Sequence, residues 1–224
     1  MSESSLLIAH YSSLITMPVK ESSDELNPPV ITTGAFISSA PRKRTLVDYV
    51  ALGVATCGVG FMPLAPGTWG SLVGVLLFLL LRAASVRLFF VYGLIGERSF
   101  NNARVESLFV VALLCLIVVV TLAGIWAATR AENLFGRKDP GAVVVDEVAG
   151  QLIAFLFVPF RVGLSRWVIL AGFLLFRLFD IWKPYPIRRL EVLESGLGIM
   201  ADDVLAGIYA AVVLVFILGA VSLL

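Results

Sequence analysis

Leu108-FVVALLCLIVVVTLAGIWAA-Thr129 runs through 22 residues without a charged side chain. A helix crossing the hydrocarbon core of a bilayer needs about 20 such residues, and lipid offers no partner to an unpaired backbone group. This stretch therefore decides the fold class: all-α, a polytopic membrane helical bundle with short or re-entrant helices. Val204 to Leu224 is a second run of the same kind. Composition agrees, with 59% hydrophobic residues and a formal net charge of +1 over 224 residues. Soluble domains are about 45–50% apolar, and the balanced charge argues against nucleic-acid binding.

Working outward, the remaining apolar runs are shorter or interrupted. Ser71 to Ile95 spans once if Arg82 and Arg87 sit near an interface or snorkel. Val148 to Phe160 and Trp167 to Phe179 flank Pro159-Phe160-Arg161 and predict a short, partly re-entrant hairpin. Leu46 to Phe61, carrying Asp48 and several glycines, is expected to enter the membrane only partly. Residues 1–45 are Ser- and Pro-containing and aperiodic, which predicts a disordered tail. That tail lacks the pattern of a signal peptide and holds His10, the single histidine. The two cysteines, Cys57 and Cys115, lie in apolar stretches and read as packing residues.

Between the apolar runs lie four polar knots. The first, Gly58 to Ser71, contains Pro66-Gly67-Thr68-Trp69-Gly70-Ser71 and opens a helix. Thr68 or Ser71 is placed to cap that helix, whose free N–H groups attract phosphate, and Gly70 and Gly74 form a small-residue packing face. The second, Gly136 to Gly150, carries Asp139 and the adjacent Asp146 and Glu147. Carboxylates there suit a helix N-terminus and supply the hard oxygen ligands that Mg²⁺ prefers. The third spaces Arg177, Asp180 and Lys183 three apart, along one side of a helix end, before Pro184, Pro186 and Arg188-Arg189. The fourth runs from Ser195 to Gly207 through Asp202 and Asp203, with Ala206, Gly207, Ala210 and Ala211 as a packing face.

Counting crossings brings all four knots to one side of the membrane. Arg42, Lys43, Arg44, Arg130, Arg137, Lys138, Lys183, Arg188 and Arg189 collect there, against Arg98 and Arg104 in the opposite loop. The positive-inside rule makes that side cytoplasmic. An ionised group near lipid is costly without a partner. Three acidic knots and one anion-attracting loop on one face therefore predict a shared metal and phosphate site.

The run Pro-x-Ala-Pro-Gly-Thr-Trp-Gly-Ser, then Asp-Pro-x4-Val-Asp-Glu-x-x-Gly, Phe-Arg-x-Phe-Asp-x-x-Lys-Pro-x-Pro-Ile-Arg and Gly-x-Gly-Ile-Met-x-Asp-Asp-x-x-Ala-Gly closely resembles the bacterial phosphatidylglycerophosphatase A family. The resemblance covers residues 46–224. It implies a Mg²⁺-dependent phosphatase of the bacterial inner membrane that converts phosphatidylglycerophosphate, a phospholipid substrate, to phosphatidylglycerol and phosphate. Ser195 stands where the family has glycine, and the tail is additional.

The residues narrow the chemistry. Neither cysteine begins a Cys-x5-Arg loop, no Asp-x-Asp pair is present, and the apolar body has no histidine. Hydrolysis by a metal-activated water is the expected mechanism. The metal candidates are Asp139, Asp146, Glu147, Asp180, Asp202 and Asp203; all of these but Asp139 are also catalytic candidates. Thr68, Ser71, Arg177, Lys183 and Arg188 are the candidates for phosphate. The choice of general base stays open among the acids. The competing class is a transporter or channel with the acids as an ion site.

Overall fold

The computed structural model describes residues 44–63, 65–91, 103–160, 162, 165–190, 193 and 195–222, which contain helices and no strand. The tail, apart from Arg44 and Thr45, lies outside the described residues, as do His10, Arg42, Lys43, Arg98 and Arg161. The helices are α1 (Leu46–Thr56), α2 (Pro66–Val91), α3 (Ala103–Phe135), α4 (Val145–Ala154), α5 (Arg166–Trp182), α6 (Ile187–Leu190) and α7 (Ser195–Ser222). Three of them, α2, α3 and α7, are long and apolar enough to cross a membrane.

The short helix α4 is the core of the bundle. At 1.5 Å per residue its 10 residues extend about 15 Å, half of a bilayer core, so the helix is short, as expected of this segment. All its residues but Glu147 are buried, because α2, α3, α5 and α7 all pack on it. Glycines set the closeness of two of these contacts. A Cβ at Gly207 would lie 2.4 Å from the Gly150 carbonyl oxygen, and one at Gly150 would lie 2.6 Å from that of Asp203. Helices α4 and α7 thus meet backbone to backbone. Gly70 and Gly74 do the same for α2, with their Cβ positions 2.8 Å from Val144 O and Gln151 Cβ. Ala206, Ala210 and Ala211 are buried as expected.

Away from this end, rings hold the bundle together. Phe78 stacks on Phe155 at 4.6 Å, and Phe109 meets Phe160 edge-on at 5.0 Å. Arg82 departs from the snorkelling expectation: it is buried, with its guanidinium 4.2 Å from the centre of the Phe160 ring. The ring face and the nearby charge of Glu106 replace solvent as its partners. Glu106 also accepts the Phe160 backbone N–H at 2.9 Å, satisfying an amide where the chain leaves helical geometry after α4.

At the other end, α1 is stapled to α3. Thr45 caps α1 in a capping box with Asp48, and Asp48 pairs with Arg130 of α3 at 2.7 Å. The Thr45 backbone N–H, first, and the Arg130 side chain hold the Asp48 carboxyl down to about 2, from 3.8. A depressed carboxylate adds stability above its unfolded pKa, and that stability disappears as pH falls through the folded value.

Two outcomes follow from these contacts. Gly150→Ala and Gly207→Ala should each destabilise the detergent-solubilised protein by about 1–3 kcal/mol through overpacking, read as a lowered thermal midpoint; an unchanged midpoint in both would refute the backbone contact. The midpoint gap between wild type and Asp48→Asn should be constant near neutrality and close as pH falls from about 4 to about 2. A gap that persists at the acid limit would refute the ion pair's role.

Candidate active site

The site grows from the start of α4. Its N-cap, Val144, gives no side-chain cap, and the Val144 backbone N–H donates to the Ala55 carbonyl at 2.8 Å. Asp146 and Glu147 therefore occupy the uncapped first turn, where the helix dipole favours negative charge. Opposite them, the α4–α7 contact brings up Asp203. Ligand oxygens of Asp146, Glu147 and Asp203 lie within 4.8 Å of one another, with Asp146 and Asp203 buried. Each residue keeps one buried oxygen without a protein hydrogen bond: Asp146 Oδ1, Glu147 Oε2 and Asp203 Oδ2. Hard oxygens, close-set and unsatisfied, fit a divalent cation of the Mg²⁺ type, which takes carboxylates and retains waters.

Around this triad the third knot supplies cations. Arg177 and Asp180 pair across one helical turn of α5, and Asp180 neighbours Asp203. Lys183 follows at the end of α5. It ends the helix at φ 45°, in the left-handed region, and its ammonium crosses to Asp202 at 2.7 Å. Adjacent residues on a helix point about 100° apart. Asp203 consequently faces the triad, while Asp202 accepts Lys183 and lines a cavity of about 470 Å³ with Lys138, Asp139, Leu193, Gly198 and Ile199.

Other candidates are placed differently from expectation. Helix α2 begins at Pro66, earlier than Ser71, so Thr68 and Ser71 lie inside the helix and neither caps it. The buried Ser71 hydroxyl donates to the Gly67 carbonyl at 2.9 Å. Asp139 stands outside the carboxylate group; its φ of 45° turns the chain before α4, and its N–H donates to Glu132 Oε1 at 3.2 Å. Arg188 is exposed on α6 and has no ion pair among the described residues. The Cys57 thiol donates to Val54 O, and burial, with the charge of Glu147, raises it to about 11, which suits packing and not nucleophilic attack.

Two further residues support the acids. Gly67 makes room for the acids: a Cβ there would lie 2.2 Å from Glu147 Oε1 and 3.1 Å from Arg177 Nη1. Gln151 is fully buried one turn beyond Glu147, and both of its amide atoms lack protein partners. A polar residue at i+4 from Glu147 in an apolar helix was the readable signal.

Comparison with known proteins addresses the same region. The family model for phosphatidylglycerophosphatase A matches residues 53–218. A putative phosphatidylinositol-3-phosphatase of Bacteroides thetaiotaomicron is 38% identical over 157 residues, covering 70% of this chain and 86% of the relative. Phosphatidylglycerophosphatase A of Haemophilus influenzae is 37% identical over 174 residues (77% and 90%). The Escherichia coli protein of that name is 32% identical over 161 residues (71% and 78%). No solved structure matches. The match runs from within α1 through most of α7 and takes in both Asp146-Glu147 and Asp202-Asp203, and the chain belongs to the phosphatidylglycerophosphatase A family.

Proposed function

We propose that this protein is a Mg²⁺-dependent lipid phosphatase that converts phosphatidylglycerophosphate to phosphatidylglycerol and phosphate on the cytoplasmic face of a bacterial inner membrane. The observation that carries this reading is the convergence of Asp146, Glu147 and Asp203, each with an orphaned buried oxygen, beside Arg177 and Lys183. Its substrate comes from the names of the relatives in Haemophilus influenzae and Escherichia coli. Its orientation is supported by Arg130, Arg137, Lys138, Lys183, Arg188 and Arg189, which belong to the elements at this end of the bundle. The transporter alternative finds no support in the family, and the acids gather at one end instead of forming a relay.

Asp146, Glu147 and Asp203 would hold the cation. When bound, Mg²⁺ supplies charge neutralisation for the monoester and lowers the pKa of water. Arg177 has five N–H donors, more than its pair with Asp180 uses, and so can grip phosphate oxygens. Lys183, fixed by Asp202, adds a second positive charge at the rim. Gly67 keeps the start of α2 close to Glu147 and holds that side chain in place. Hydrolysis replaces the phosphorus–oxygen bond to the lipid alcohol with one to water. The proton that water gives up passes through one of these acids to the leaving alcohol oxygen.

Asp146→Asn and Asp203→Asn should each lower phosphate release from phosphatidylglycerophosphate micelles by more than about 100-fold, the upper end of losses for groups that only support a metal ligand. Helical content by circular dichroism should stay at the wild-type level; near-normal turnover in both would sink the metal-site assignment. Excess chelator should abolish turnover and added Mg²⁺ restore it. Full activity in chelator would refute the mechanism.

A further inference from the structure

The terminal monoester is common to every lipid this site would cleave, so it carries no information about the alcohol attached to it. Two of the relatives are named for different headgroups, glycerol and inositol. Any discrimination must therefore be made beside the triad and not within it.

The cavity lined by Lys138, Asp139, Leu193, Gly198, Ile199 and Asp202 is placed for that task. Its volume of about 470 Å³ lies within the usual range for small-molecule sites. It adjoins the catalytic groups through Asp202, whose chain neighbour is Asp203 and whose carboxylate holds Lys183. Its opposite wall is the turn after α3, where Asp139 adopts a left-handed backbone that is uncommon for a residue with a Cβ. On the α7 side, a Cβ at Gly198 would lie 2.3 Å from the Leu193 carbonyl oxygen, so this wall is closed by backbone contact. Among the described residues, one cation and two carboxylates face the cavity together with Leu193, Gly198 and Ile199.

We infer that this cavity receives the phosphodiester and glycerol portion of the headgroup, with Lys138 pairing with a diester oxygen and Asp139 accepting a glycerol hydroxyl. The inference rests on the phosphatase reading and deepens it. Phosphatidylglycerophosphate carries a diester charge and a free hydroxyl between its acyl chains and the scissile monoester. A cation and an acceptor side by side match those two features. The assignment also gives Asp139 a role that its separation from the triad otherwise leaves unexplained.

Product inhibition separates the two sites. Phosphatidylglycerol has the diester and the glycerol but no monoester, whereas inorganic phosphate addresses only the monoester site. Initial rates on phosphatidylglycerophosphate would be measured in detergent with each inhibitor, for wild type, Lys138→Ala and Asp139→Asn. Asparagine tolerates the left-handed backbone at position 139, and both side chains are exposed, so folding is retained; circular dichroism checks it. Each variant should raise KM and the phosphatidylglycerol inhibition constant about tenfold, the effect of losing one charge-assisted hydrogen bond. The phosphate inhibition constant should stay within about twofold of wild type. Equal rises for both inhibitors, or unchanged KM and phosphatidylglycerol inhibition in both variants, would overturn the headgroup assignment and leave the phosphatase reading standing. Wild-type protein that releases no phosphate at all would overturn both.

Discussion

The backbone contact between α4 and α7 is what the rest of the molecule depends on. Gly150 and Gly207 allow an approach that any side chain would block, and that approach brings Asp203 up to Asp146 and Glu147. Like charges at 4.8 Å repel by about 3.5 kcal/mol per ionised pair at an effective dielectric of about 20. Packing of the buried faces of α4 therefore acts against electrostatics at this point. A divalent cation bound as proposed would reverse the sign of that interaction, so the same contact would prepare the site for metal. Folding and chemistry are coupled through two glycines.

The two ends of the bundle divide the labour. At one end, the aromatic cluster of Phe78, Phe109, Phe155 and Phe160 encloses Arg82 and supports the turn that follows α4. Glu106 supplies the acceptor that a broken helix lacks inside lipid. At the other end, Asp48–Arg130 joins α1 to α3, and the Ser195 hydroxyl and Gly196 N–H both donate to the Thr129 side chain, fixing the start of α7 on α3. The acids sit between these restraints.

Much of this was legible in the residues. Leu108 to Thr129 lies within an observed span, and Val204 to Ser222 within another, because length and apolarity are local properties, and the four knots are recognisable from their glycines and acids. What could not be read is which neighbour each charged group meets. Asp202 and Asp203 are adjacent in sequence, yet helical rotation sends one to Lys183 and the other to the triad. Lys183 reaches Asp202 on α7 from the end of α5, where its own backbone turns left-handed. Arg82 looked like a snorkelling side chain because Phe160, its partner, is 78 positions away. Asp139 shares a motif with Asp146 but stands outside the triad, at a left-handed turn.

The half-length of α4 has one more implication. The helix starts at the acidic end and is only about half as long as a bilayer core is thick, so in the proposed orientation the groups proposed for catalysis would belong to a single monolayer. On that reading, lipid in the opposing monolayer would have to flip before it could be dephosphorylated. Transbilayer asymmetry, and not merely total abundance, would then determine how much substrate the protein experiences.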